Sequence, residues 1–254
     1  MGFRFLNRLA CAAISLAIST AVTADAHDPV VFSTSSVEPW GYFIDGNQPA
    51  GLLVEFNEAL QAELKQHSSF DVTFENYIRP YPRVINDIKT GRADFAVLFN
   101  SPESHNYGDS VGEVSTFDVV VTGRQDSAGI TSLDDLEGLP VGHVRGSKYG
   151  PAFDDNTKIL KVSLDSMEKG LDMLLKGRLA ALICLDQTLY HSMNEKGIAP
   201  DQTKTLFVIG KARADLFISK RSKKRFYMEE VEDALDLLHE KGTIKAIFDL
   251  NRPH

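Results

Sequence analysis

Cysteine is nearly absent: the 254 residues hold two, Cys11 and Cys184. Only Cys184 lies beyond the N-terminal export segment described below, so no internal disulfide can form even in an oxidising compartment, and stability must come from packing. Cys184 falls in the apolar run Ala180 to Leu185 and reads as a small buried hydrophobe rather than a reactive thiol. Basic charge is in deficit, with 27 Lys and Arg against 35 Asp and Glu. The basic footprint that phosphate backbones require is missing, and nucleic acid is not an expected partner. No apolar run approaches the ~20 residues that span a bilayer. The signatures His-Glu-x-x-His, Gly-x-Ser-x-Gly and a phosphate-binding Gly-rich loop are missing too, and the seven histidines are scattered. Neither an enzyme, a cofactor nor a bound metal is therefore expected.

What is present is the make-up of an ordinary globular protein, 43% hydrophobic and 24% charged. Residues 1 to 26 read as a secretory signal peptide. Arg4 and Arg8 open it, Leu9 to Ala21 supply its apolar stretch, and Ala24-Asp25-Ala26 gives small residues for cleavage before His27. Removal leaves 228 residues with 25 basic and 34 acidic side chains, enough for one large domain or two small ones. Cys11, preceded by Arg8-Leu9-Ala10, is badly placed for lipid attachment. The expectation is a free periplasmic protein of a Gram-negative cell, not lipid-anchored.

Along the mature chain, hydrophobic periodicity alternates. Val30 to Phe32 reads as a strand, and Leu52 to Gln66 as an amphipathic helix with Leu53, Phe56, Leu60 and Leu64 inward. Phe70, Val72 and Phe74 alternate as in a strand. Pro82 opens a helix that Gly91 ends, and Phe95 to Phe99 is again a strand. This order implies a parallel sheet covered by helices. After irregular sequence at Asn100 to Ser115 the pattern repeats. Strands are expected at Thr116 to Thr122, Val141 to Val144, Lys158 to Val162, Leu179 to Leu185 and Thr205 to Ile209. Helices are expected at Ser166 to Lys176, Gln187 to Glu195 and Lys223 to Lys241, with Ser132 capping a short turn. The irregular stretch and the polar run Ser219 to Lys224 are the candidate crossovers. If the last helices pack on the first sheet, one lobe is discontinuous: residues 27–115 and 221–254 form lobe 1, 116–220 form lobe 2, and a ligand cleft lies between them.

Four stretches carry a family resemblance: Glu38-Pro39-Trp40 with Gly51 to Leu60, Gly91-Arg92-Ala93-Asp94, Leu133 to Gly138 running through Val141-Gly142 to Arg145-Gly146-Ser147, and Ala234-Leu235 through Gly242-Thr243-Ile244 to Ile247. In this order the sequence resembles the bacterial family 3 extracellular solute-binding proteins over nearly the whole mature chain. The resemblance implies an α/β fold of the type II periplasmic-binding-protein kind, two doubly wound lobes joined by two crossover strands and closing on a ligand in the cleft. It implies a small-molecule ligand, amino-acid-like or carboxylate, an ABC permease in the inner membrane as partner, and a monomer. Two further readings share the scaffold: an enzyme resembling cyclohexadienyl dehydratases, with a cleft acid from Glu38, Glu103 or Asp186, and a sensing module read by a signalling receptor.

The site candidates each admit a plainer reading. Trp40 could stack on a ligand or plug loop against helix, with Tyr42 beside it. Arg145-Gly146-Ser147 could hold an anion on its hydroxyl and free N–H groups, or merely cap a helix. Asp186 could cap the helix it opens; the resemblance implies an acid meeting a ligand ammonium. Ser101-Pro102-Glu103-Ser104 resembles the family's Thr-Pro-Glu-Arg turn with serine in place of the carboxylate-clamping arginine, a substitution no hydroxyl can match. An ordinary α-amino acid becomes less expected. Arg79 or Arg83 could supply a replacement cation, or simply face solvent.

Overall fold

The computed structural model describes residues 28–67 and 73–248. The export segment, His27, and the strand positions Phe70 and Val72 lie outside the described residues. The first elements are β1 (Val30–Ser35), a hairpin of β2 (Tyr42–Ile44) and β3 (Gln48–Ala50), α1 (Leu52–His67), β4 (Phe74–Arg79), α2 (Tyr81–Thr90) and β5 (Phe95–Phe99). A long strand, β6 (Gly108–Arg124), leads to β7 (Pro140–Val144), α3 (Pro151–Asp154), β8 (Leu160–Leu164), α4 (Met167–Leu175), β9 (Ala181–Leu185) and α5 (Asp186–Glu195). A second long strand, β10 (Thr203–Ser219), returns to α6 (Met228–Glu240) and α7 (Thr243–Phe248). Among the described residues no helix is long and apolar enough to cross a membrane.

All strands but the hairpin join one sheet in the order β4-β1-β5-β10-β6-β9-β7-β8. β1, β4 and β5 are parallel to one another, as are β7, β8 and β9. β6 and β10 pair antiparallel along their full length. Residues 214–218 of β10 also pair with β5, and residues 119–122 of β6 also pair with β9. Between those stretches the two strands hold only each other, a two-stranded ribbon joining two α/β halves. Bulges in the β6–β10 register flank this ribbon, at Thr205/Phe207 and Val208/Gly210 towards the second half and at Ala214/Asp215 and Leu216/Phe217 towards the first; each adds local twist and bend.

The crossovers therefore differ from the sequence expectation. Residues 108–115 are strand, not irregular chain, and Leu216 to Ile218 belong to the same strand as Thr205 to Ile209. The bulges break the two-residue alternation by which strands are recognised. The polar run Ser219 to Lys224 is instead a turn at the end of β10, where the Ser219 hydroxyl donates to the Ile88 carbonyl at 2.7 Å. At Thr131-Ser132 the cap is Asp135, whose Oδ2 accepts both backbone N–H groups and both hydroxyls.

Local sequence explains the first half. In α2 the proline sits in the first turn, where its missing N–H is no loss, and Val84 and Ile88 are buried one turn apart. Gly91 closes the helix at φ 73°, and its amide bonds to Asp87 and Ile88 carbonyls. Three residues on, Asp94 staples the half together. Its Oδ2 accepts the Val31 amide at 3.0 Å and its Oδ1 the Ser222 hydroxyl at 2.6 Å. The Gly-x-Ala-Asp stretch is thus structural. Phe32 packs between Phe74 and Phe95, with ring centroids at 5.4 and 5.3 Å. The last helices do return to this half: α6 and α7 pack on α1, and Lys241 Nζ meets Glu63 Oε1 at 2.6 Å.

A Cβ at Gly91 would stand 2.8 Å from Arg221 Cβ, whereas at Gly242, φ 71°, nothing lies within 4 Å. Both positions carry the left-handed penalty of about 1 kcal/mol, but only the first adds a clash. Gly91→Ala should lower the urea midpoint clearly more than Gly242→Ala; equal losses would contradict the packing described.

Candidate functional site

A cleft opens at the seam, at the C-terminal ends of the parallel strands of both halves, which is where open α/β sheets place ligands. The first half contributes Ser35 at the end of β1, Trp40 in the loop that follows, Tyr81 at the start of α2 and Phe99 at the end of β5. The ribbon contributes Val114, Phe117 and Ala214. The second half contributes Val144, Ser147, Lys148 and Tyr149 after β7, Cys184 and Leu185 at the end of β9, and Thr188 on α5. With its open mouth the cleft measures about 810 Å³. That is within the ~300–1,000 Å³ of small-molecule sites.

Trp40 packs as a plug and also reaches the cleft. Only 9% exposed, it meets Phe117 edge-on at 4.8 Å and Phe248 at 6.4 Å, and it also lines the cleft. Ser147 lines the opposite wall. Its amide donates to the Val144 carbonyl at 3.2 Å. The neighbouring amides are also engaged: Arg145 N–H meets the Leu164 carbonyl, and the Tyr149 and Gly150 N–H groups meet Asp154 Oδ2 at 3.1 Å. The short α3 is capped at Gly150, not at Ser147.

The remaining candidates stand off the lining. Arg145 points outward, its side chain 70% exposed and paired with Asp165 at 3.0 Å. Gly146, φ 81°, sits where an added Cβ would be 3.8 Å from Pro82 Cγ, so this turn approaches the start of α2 across the mouth. Arg83 is exposed on α2, and Tyr42 is on the hairpin. Ser101 and Ser104 bond each other reciprocally, each hydroxyl accepting the other's amide at 3.2 and 3.0 Å. Arg79 is held by the buried Asp87 at 3.1 Å, a carboxylate that also takes Arg92 at 2.9 Å and the Ser33 hydroxyl. Asp186 is 3% exposed, and its Oδ1 accepts the Gln187 amide at 2.8 Å. One further pair bridges the halves, His191 Nε2 on α5 and Glu38 Oε2 before Trp40, at 3.7 Å.

Sequence reasoning missed Lys148, Tyr81, Tyr149 and Thr188, because strand ends distant in sequence converge only through the sheet order. Lys148, next to Arg145-Gly146-Ser147, was the nearest to being found. Burial pushes the Tyr81 phenol up to about 12, and its oxygen accepts the Phe99 amide at 3.4 Å. Burial also raises the Tyr149 phenol and the Cys184 thiol well above their ordinary values, so all three stay protonated at neutral pH. Cys184 is 1% exposed, the inert buried thiol its apolar run suggests.

No family model and no curated protein matches the chain. Solved structures do. A histidine kinase sensor domain with similarity to periplasmic binding proteins superposes with a TM-score of 0.70 at 17% identity, over 88% of this chain and 95% of that one. The GluR0 ligand-binding core from Nostoc punctiforme, in complex with L-glutamate, gives 0.69 at 16%, over 87% and 98%. The substrate-binding protein of an amino acid ABC transporter gives 0.67 at 17%, over 87% and 97%. At such identities the likeness is one of fold, and the fold is the two-lobed periplasmic-binding-protein architecture that the sequence resemblance implied.

Proposed function

We propose that this protein is a periplasmic solute-binding protein whose two halves move as lobes about the β6–β10 ribbon. Residues 214–220, paired with β5 and bonded to Ile88, Asp94 and Tyr107, move with the first half rather than with the lobe that begins at 116. A small solute enters the seam, the lobes close, and the closed form is presented to an ABC permease in the inner membrane. The observation that carries this reading is the cleft itself, walled from both halves, which are joined by a short two-stranded ribbon with bulges at both of its ends. Closure matters because a partner distinguishes loaded from empty only through a difference in shape. Trp40 and Ser147, on opposite walls, are the proposed ligand contacts among the residues picked out from the sequence, and the protein works as a monomer.

Binding to the folded form alone stabilises it by about 2.7 kcal/mol at a hundredfold excess over Kd. For a chain of this length that corresponds to a rise in melting temperature of roughly 5–10 °C. A screen of polar and anionic metabolites by thermal shift should find such a ligand; a broad library with no shift would count against the reading. Sensing is a second reading, favoured by the likeness to a histidine kinase sensor domain. Stimulation of a permease's ATPase by the loaded protein supports delivery, and ligand-dependent activation of a kinase supports sensing.

A further inference from the structure

We infer that the cleft selects a small monocarboxylate with an aromatic or aliphatic body, Lys148 meeting the carboxylate, over a zwitterionic amino acid. This rests on the cleft being the ligand site. Three observations lead to it.

The first is the charge of the lining. Lys148 is its one charged residue; no Asp or Glu belongs to it among the described residues. The acids next to lining residues in sequence are each engaged: Asp186 is buried with one oxygen on the Gln187 amide, Asp215 is buried and takes Arg213, Asn100 and Ser110, Glu113 accepts the Thr116 hydroxyl, and Asp118 pairs with Lys211. Glu38 stands with His191. An ammonium brought into this cleft would lose its water with no carboxylate on the wall to replace it, whereas a carboxylate would find a cation. The second is the state of that cation. Lys148 is exposed and makes no ion pair or hydrogen bond among the described residues, unlike Arg145, Arg79 and Lys169, each of which already has an acid. The third is the remainder of the wall. It is predominantly apolar and aromatic, with Trp40, Phe99 and Phe117 among its members, and its polar groups are neutral hydroxyls. Tyr81, held protonated by burial while its oxygen accepts from Phe99, keeps its own proton to donate. A small apolar body with one anionic end satisfies all three.

The test uses the mature wild-type protein and three probe sets matched in body: benzoate, phenylacetate and hexanoate; their neutral amides; and phenylalanine with norleucine. Affinity is read by isothermal titration calorimetry. At least one carboxylate should bind about tenfold or more tighter than its amide and than the amino acid of the same body. Lys148→Ala should remove that preference, lowering the carboxylate's affinity to the amide's while leaving the amide's unchanged, and Lys148→Arg should restore most of it. Phenylalanine or norleucine binding as tightly as the carboxylates, or a carboxylate affinity unchanged in Lys148→Ala, would overturn the inference. If no carboxylate binds but another metabolite raises the melting temperature, the ligand class is wrong and the cleft reading survives. If nothing in either collection binds, both fall.

Discussion

Asp215→Ala is expected to lower the free energy of unfolding by about 3 kcal/mol. Asp215 is wholly buried at the bulge where β10 passes from the ribbon into the first half. Its carboxylate takes the Arg213 guanidinium at 2.6 and 3.0 Å, the Asn100 side-chain amide at 2.6 Å and the Ser110 hydroxyl at 2.6 Å. It thus ties the end of β5, the start of β6 and β10 at the base of the ribbon. Truncation leaves the Asn100 and Ser110 donors without their acceptor, each costing about 1–3 kcal/mol. Arg213 suffers less, because its side chain is 49% exposed and Glu113 lies 3.5 Å away. Asp215→Asn, which keeps an acceptor, should recover part of the loss. Urea unfolding decides: a change below about 1 kcal/mol would mean that the cluster does not hold the ribbon's base.

Trp40→Ala should cost about 2–4 kcal/mol of stability and weaken ligand binding by about tenfold or more. The ring is the hinge-side anchor of the first half: its edge meets Phe117 on β6, and Phe248 on α7 packs nearby. Removing it leaves a hole that opens directly into the cleft, where water can enter, so the loss falls below that of an enclosed core aromatic. Trp40→Phe should restore most of the stability. Because Trp40 is the only tryptophan, wild-type fluorescence reports on this wall alone, and a ligand that enters the cleft should change its intensity or emission maximum. Ligand binding by the wild type with no change in that signal would place the ligand elsewhere.

Much of the fold was legible because its signals are local. The spacing of Val84 and Ile88, the proline at the start of α2 and the glycine at its end each act within one helix, and the structure repeats them. The same holds for Ser166, whose hydroxyl accepts the Lys169 amide at the start of α4. What the sequence did not disclose depends on long-range pairing. The ribbon hides because its bulges disrupt alternation, and because Gly108, Asp109, Ser110 and Gly112 are poor strand formers that only pairing with β10 makes extended. The cleft was legible in part. Trp40 and Ser147 stand out by residue type beside a strand end, but nothing local marks Lys148, Tyr81 or Thr188 as neighbours. Nor could the sequence tell that Arg79 is consumed by Asp87, or that Ser101 is closed on Ser104.

Hydrogen–deuterium exchange of the mature protein, with and without a metabolite that raises its melting temperature, tests capture at the seam most directly. Protection is expected together on both walls, at the start of α2 and the end of β5 on one side and in residues 144–149 and 185–188 on the other. Protection confined to one half, or found only on surfaces away from the seam, would contradict it.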